Sequence, residues 1–288
     1  MAGEPTSIWS LGAELGEGPI WVHDQLWFVD IKKKQVHRYE PATGERRSWS
    51  APEQVGFIAP RARGGFIAGL QSGLFAFDPE RGTFEPIVAV EPDKPGNRLN
   101  DSVVDAEGRL WFGTMDDGER EKSGAFYCYA DGELRPAGID GVAITNGPAI
   151  SPDGRTLYWV DTLGGRISAA TISSDGMLSD SRPLVAFAPA EGYPDGPTVD
   201  AEGGVWIGLY AGWQARRYSP AGELLLTIDY PVANITKLAF GGPNRRTLFA
   251  TTARQLLSAE QLAKQPQAGD LFAVPVEVEG QPCHAVRG

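Results

Sequence analysis

The sequence predicts an all-β fold, a six-bladed β-propeller spanning residues 1–288 as a single domain, from three observations. Apolar, β-rich runs centred on Trp27, Ile67, Trp111, Tyr158, Trp206 and Leu248 recur roughly every 40–48 residues, the length of a four-stranded propeller blade. The runs alternate with turns rich in Asp, Gly and Pro, such as Asp105-Ala106-Glu107-Gly108-Arg109 and Asp200-Ala201-Glu202-Gly203-Gly204. The chain holds 36 glycines and 8 tryptophans, a usage that suits many short strands and tight turns, and helix signals are nearly absent.

Each repeat opens with a hairpin. Leu15-Gly16-Glu17-Gly18-Pro19-Ile20-Trp21-Val22 precedes the strand at Leu26-Trp27-Phe28-Val29-Asp30. Arg98-Leu99-Asn100-Asp101-Ser102-Val103-Val104 precedes Leu110-Trp111-Phe112, and Ile144-Thr145-Asn146-Gly147-Pro148 precedes Thr156-Leu157-Tyr158-Trp159. Tyr193-Pro194-Asp195-Gly196-Pro197 precedes Val205-Trp206-Ile207. Further strand-turn-strand units fall behind each hairpin, as at Gly73-Leu74-Phe75-Ala76-Phe77 with its turn Asp78-Pro79-Glu80. Ser258 and Gln261 form a capping-box start and predict one short helix in the last repeat. The segment Ser7-Ile8-Trp9-Ser10 is expected to pair into the last blade, closing the ring and removing an exposed edge.

Composition narrows function. The formal net charge of -11 leaves no basic stripe for phosphates, which argues against a nucleic-acid partner. The basic run Lys32-Lys33-Lys34 reads as a solvated loop. The two cysteines, Cys128 and Cys283, lie too far apart in sequence to suggest a disulfide framework, have no metal-binding spacing, and are expected to be reduced and buried. With no basic and apolar leader and no apolar run of membrane-spanning length, a cytoplasmic, non-membrane protein is expected. A monomer is expected, because a closed ring presents no edge that demands a partner.

In a propeller the first strand of each blade lines the central channel, so equivalent positions near its start converge at one mouth. Those positions are Glu17, Gly56, Asn100, Asn146, Asp195 and Thr236, each placed just before its strand. Two carboxylates and two carboxamides meeting there describe a hard-cation site, for which Ca²⁺, Mg²⁺ and Mn²⁺ are the natural occupants; Fe²⁺ and an oxygen-liganded Zn²⁺ are also compatible. The alternative is turn chemistry alone, since Asn-Gly-Pro and Asp-Gly-Pro are common turn sequences. The recurrence in register, together with a Glu17 that its turn does not require, favours the cation site. The three histidines, His23, His37 and His284, read as structural or exposed, and no Gly-x-Ser-x-Gly elbow supports a serine nucleophile.

Taken together, Leu15-Gly16-Glu17-Gly18-Pro19, Asn97-Arg98-Leu99-Asn100-Asp101, Phe112-Gly113-Thr114-Met115, Ile144-Thr145-Asn146-Gly147 and Tyr193-Pro194-Asp195-Gly196 resemble the SMP-30/gluconolactonase/regucalcin family over about residues 12–255. Within it the chain is most similar to bacterial sugar lactonases of the xylonolactonase type. The resemblance implies one catalytic divalent cation held by Glu17, Asn146 and Asp195, with Arg98 and Asn100 contacting substrate hydroxyls. It also implies an acidic substrate contact within Asp116-Asp117-Gly118-Glu119; Glu119 is the first choice and Asp117 the second. The implied activity is opening of an aldonolactone; direct attack by water, with Asp195 binding the cation and serving as general base, is the mechanism expected here. Three other readings are a non-catalytic binding propeller, a calcium-regulating protein, and an organophosphate or aryl-ester hydrolase.

Overall fold

The computed structural model describes residues 2–287. After β1 (Thr6–Trp9) the strands run in meandering groups of four, each turning back on its predecessor. The first group is β2 (Gly16–Val22), β3 (Gln25–Asp30), β4 (Gln35–Glu40) and β5 (Glu45–Ser50), and the second is β6 (Val55–Pro60), β7 (Phe66–Leu70), β8 (Gly73–Asp78) and β9 (Thr83–Ala89). The third is β10 (Asn97–Val104), β11 (Leu110–Asp116), β12 (Gly124–Ala130) and β13 (Glu133–Val142). The fourth is β14 (Thr145–Ile150), β15 (Thr156–Asp161), β16 (Arg166–Ile172) and β17 (Leu178–Ala186). Then come β18 (Tyr193–Val199), β19 (Val205–Tyr210), β20 (Gln214–Tyr218), β21 (Leu224–Asp229), β22 (Ile235–Gly241), β23 (Thr247–Thr252) and β24 (Leu271–Pro275).

The expectation of six separate blades needs correction. Four groups stand as independent four-stranded sheets, whereas the remaining eight strands form one continuous sheet ordered β1-β24-β23-β22-β18-β19-β20-β21. The join is a parallel pairing of Gly196 on β18 with Lys237 on β22. Gly196 permits it because it has no side chain: a Cβ there would lie 2.7 Å from Lys237 Cγ. The molecule is therefore a propeller of four separate blades completed by one eight-stranded sheet. β1 pairs with β24 through Thr6 with Ala273 and Ser7 with Phe272, so the N-terminal strand does join the last strands of the chain.

The inner strands β2, β6, β10, β14, β18 and β22 neighbour one another in a circle. The apolar core lies between adjacent sheets rather than at the centre. Trp27 and Val29 of β3 pack on Phe66 and Ala68 of β7, and Leu26 and Phe28 pack on Phe249 and Leu271. A recurring polar device fixes the turns. Asp105 accepts from Trp111 Nε1 at 2.8 Å and from Arg109 Nε, while Asp200 accepts from Trp206 Nε1 and Arg217 Nε, both at 2.7 Å. Both tryptophans are fully buried, and each would otherwise leave its indole N–H without a partner.

The predicted helix is α1 (Ala259–Lys264), with the Ser258 hydroxyl accepting from Gln261 N at its start. The C-terminal segment crosses the far end of the ring as a strap. Gly280 N donates to Arg245 O, Gln281 Nε2 to Ile150 O at 2.8 Å, Val286 N to Pro60 O and Arg287 N to Gly108 O. This path leaves Cys283 exposed, contrary to expectation, because it rides on the strap and not inside a sheet; Cys128 on β12 is buried. Among the described residues no helix is long and apolar enough to cross a membrane.

Candidate active site and cation centre

The residues expected to precede their strands lie within them, each at a break in the ladder. The register between an inner strand and its neighbour shifts between Glu17 and Ile20, Val55 and Phe57, Leu99 and Ser102, Asn146 and Ala149, Pro194 and Pro197, and Ile235 and Leu238. A bulge bends a strand and re-aims one side chain. Repeated around the ring, it turns Glu17, Asn100, Asn146 and Asp195 into one cavity of about 600 Å³. Gly56 supplies no side chain because none fits: a Cβ there would meet Leu99 O at 2.3 Å and Asn100 O at 2.6 Å. Thr236 turns its hydroxyl away, donating to Gly16 O at 2.6 Å.

Glu17 and Asp195 are only 3% and 7% exposed. Burial and then the charge of Asp101 push Glu17 up to about 7, against the opposing pull of Lys237, the Gly18 N–H and Arg98. Asp195 is pushed well above the usual carboxylate range by burial, by the Glu17 and Asp101 charges and by a hydrogen bond with the Glu17 carboxyl. Two buried carboxyl groups in such contact cannot both ionise unless a positive charge joins them. The donor set fits a hard divalent cation: two carboxylates and the Asn146 Oδ1, all facing one cavity. Among the described residues no set of three or more His, Cys, Asp or Glu side chains gathers to hold a metal.

A hydrogen-bonded chain orients the remaining residues. Arg98, 3% exposed, donates from Nε to Asp117 Oδ1 at 2.8 Å and from Nη1 to Asn100 Oδ1 at 2.6 Å. Asn100 Nδ2 donates to Thr145 O at 2.7 Å and to Asn146 Oδ1 at 2.8 Å. Asn146 Nδ2 donates to Thr162 Oγ1, which donates to Pro194 O, both at 2.9 Å. Arg98 lines the cavity, and among the described residues its Nη2 donates to no protein acceptor, so two N–H groups remain for a ligand.

The acidic turn resolves into three roles. Asp116 caps the turn, accepting from Arg120 N and Glu121 N at 2.9 Å. Asp117 lies beside Arg98 and also accepts from Lys32 Nζ at 2.6 Å and Gln54 Nε2 at 2.9 Å. Burial raises it, but those hydrogen bonds and the Arg98 charge outweigh burial and hold it below the usual carboxylate value. Glu119, at a φ of 57°, lines the cavity. Lys32 is thus no solvated loop residue: the turn at 31–34 carries it across to Asp117, the partner of Arg98.

Sequence reasoning passed over Asp101, Lys237 and Thr162. Asp101 and Lys237 form a buried ion pair beside the two carboxyls, and Asp101 Oδ2 also accepts from Gly147 N at 3.0 Å. The signal was present, since a lysine within Ile235-Thr236-Lys237-Leu238-Ala239-Phe240 requires a buried counter-charge. The histidines stay out of the site. His37 is buried among Trp9 and Phe28, accepts or donates at Nδ1 with Ser48 Oγ at 2.7 Å, and is pulled down to about 4 by burial.

Fold and site define a β-propeller with a buried oxygen-donor centre at one mouth of its channel. The chain belongs to the SMP-30/Gluconolactonase/LRE-like family, whose sequence profile matches residues 15–254. It is 35% identical to a 6-deoxy-6-sulfogluconolactonase of Pseudomonas putida over 270 residues, 92% of each chain. It is 32% identical to regucalcin of Xenopus laevis over 271 residues, 91% of this chain and 90% of that one. The crystal structure of a calcium-binding protein, regucalcin, from Agrobacterium tumefaciens matches it with a TM-score of 0.95 at 26% identity, covering 99% of this chain and 98% of that one.

Proposed function

We propose that this protein is a divalent-cation-dependent hydrolase that opens the ester of a sugar-acid lactone, such as xylono-, arabinono-, galactono- or gluconolactone, to the free aldonic acid. The observation that carries the reading is the pair of buried, raised carboxyls, Glu17 and Asp195, lining the same cavity as Asn146, Arg98 and Asn100. The named activity of the Pseudomonas putida relative supports a lactone substrate. Glu17, Asn146 and Asp195 would hold the cation, which when bound supplies Lewis-acid polarisation of a carbonyl and a more acidic water.

The protein's own groups supply the rest. Asp195 is the general base, taking the proton of the attacking water at a carboxylate oxygen. The free Nη2 of Arg98 and the side chain of Glu119 bind ring hydroxyls, and the rigid fork of Arg98, anchored by Asp117, fixes the ring face presented to the water. Asn100 joins these groups to Asn146 and holds the substrate side against the cation side. We take the protein to act as a cytoplasmic monomer.

The test is lactone hydrolysis followed by acid release, with the four lactones and EDTA-stripped protein, before and after each of Ca²⁺, Mg²⁺, Mn²⁺, Zn²⁺ and Fe²⁺. Activity that disappears on stripping and returns with one cation is expected. Absence of hydrolysis for every lactone-cation pair would overturn the reading.

A further inference from the structure

We propose that Thr162 is a positioning residue: its hydroxyl determines which end of the Asn146 carboxamide faces the centre, and so sets the affinity for the divalent cation. The inference rests on the reading that Asn146 contributes an oxygen to that cation.

The argument is one of donor and acceptor polarity. Pro194 O is a carbonyl and can only accept, so the Thr162 Oγ1–H, 2.9 Å away, must donate to it. With its one proton committed, Thr162 Oγ1 can only accept from Asn146, also at 2.9 Å. The NH₂ end of Asn146 must therefore face Thr162, and Oδ1 is left facing Asn100 and the cavity. The same logic fixes Asn100, whose Nδ2 must face Thr145 O because that carbonyl also only accepts. Asn100 thus presents an N–H to Asn146 Oδ1, which agrees with the orientation imposed from Thr162. Two main-chain carbonyls on different strands set the direction of the whole chain.

Thr162 is well placed for this role. It is 7% exposed and lines the cavity, and its N–H donates to Ile144 O at 3.2 Å, beside the start of β14. Its acceptor, Pro194 O, belongs to the residue before Asp195. One hydroxyl therefore ties the backbone at Asp195 to the amide of Asn146. Without it, the Asn146 NH₂ loses its acceptor and the amide is held by Asn100 alone, so the orientation that turns Oδ1 away from Thr162 is weakened. Groups that orient metal ligands from behind typically account for about 10–100-fold in affinity.

The experiment measures binding of Ca²⁺ and Mn²⁺ to stripped protein by titration calorimetry, for wild type, T162V, T162S and E17Q, with the melting temperature of each metal-free protein. T162V is expected to weaken the cation Kd by about 10–100-fold. T162S keeps the hydroxyl and should restore affinity to within a few-fold, with metal-free melting close to wild type. T162A reads the same loss if T162V does not fold. Equal Kd for T162V and wild type, or T162S as weak as T162V, would overturn the proposal while leaving the cation reading intact, provided E17Q abolishes binding. Wild type that binds neither cation would overturn both.

Discussion

Replacing Glu17 by Gln should stabilise the metal-free protein at alkaline pH, although it damages the site. Burial and neighbouring charge raise the Glu17 carboxyl from 4.5 to about 7 in the folded chain. The unfolded chain releases this proton first, so the folded state binds more protons between those values. Stability is fully present below about 4.5 and is lost as pH rises through about 7. At about 1.4 kcal/mol for each pKa step, the loss at pH 8 is roughly 3 kcal/mol. For a chain of this length, with an unfolding entropy of about 2 cal/mol/K per residue, that corresponds to about 5 °C in melting temperature. His37 titrates in the opposite sense. Its value falls from 6.5 to about 4, so it removes stability as pH drops through that window. The useful observable is therefore the difference between E17Q and wild type, in which His37 cancels. Scanning calorimetry on EDTA-treated proteins from pH 5 to 8, at fixed ionic strength, should show the two converging at low pH and E17Q melting higher at pH 8. Saturating cation should reverse the order, because wild type alone would gain from it. A metal-free E17Q that melts below wild type at pH 8, or a difference independent of pH, would refute the reasoning.

D195N, which keeps an oxygen but cannot take a proton, should lower kcat for lactone hydrolysis by about 10²–10⁴-fold even at cation concentrations raised to offset its weaker binding; full activity would remove Asp195 from the role of base. D117N should free the Arg98 fork and raise KM by roughly 10-fold, more than it lowers kcat, in steady-state kinetics; an unchanged KM would mean that Asp117 does not anchor the arginine. D200A strips the partner from the buried Trp206 N–H and one of two carboxylate partners from Arg217, which keeps Glu202, and should cost about 1–3 kcal/mol in denaturant unfolding. G56A places a Cβ against the carbonyls of Leu99 and Asn100, and should lower both stability and activity because β10 has to move; wild-type behaviour in both assays would contradict the close approach.

The repeat and the chemistry of its inner positions were legible because each bulge falls at the same place in its unit. Glu17, Asn100, Asn146 and Asp195 could be aligned by counting from the following turn, without knowing that a bulge existed. What counting could not supply was any contact between units. Lys32 looks like one of three solvated lysines until the ring brings it to Asp117, 85 residues away in sequence. The separation of Asp117 from Glu119 was hidden for a local reason. Both are acids in one turn, and only the positive φ at Glu119, with Asp116 capping the turn, decides which of them lines the cavity and which lies behind Arg98. The count of separate sheets failed at Gly196, whose missing side chain permits the bridge to Lys237; that lysine is in turn held by Asp101.

Gly196 also shows why site and fold are difficult to separate. It follows Asp195 directly, and the backbone pairing that merges two groups of strands into one sheet occurs within the bulge that aims Asp195 at the cavity. Lys237, pressed against that glycine, extends to Asp101, whose other oxygen accepts from the backbone of Gly147 next to Asn146. The carboxylate of one inner strand and the carboxamide of another are thus tied to a single buried ion pair. Breaking such a pair on one side leaves an uncompensated buried charge, which costs about 3–5 kcal/mol. The consequence reaches beyond stability, because both partners contact the bulges that aim the site. A charge deletion at Lys237 should therefore move Asp195 and Asn146 together, and the local defect should be felt at the proposed cation centre before the propeller as a whole gives way.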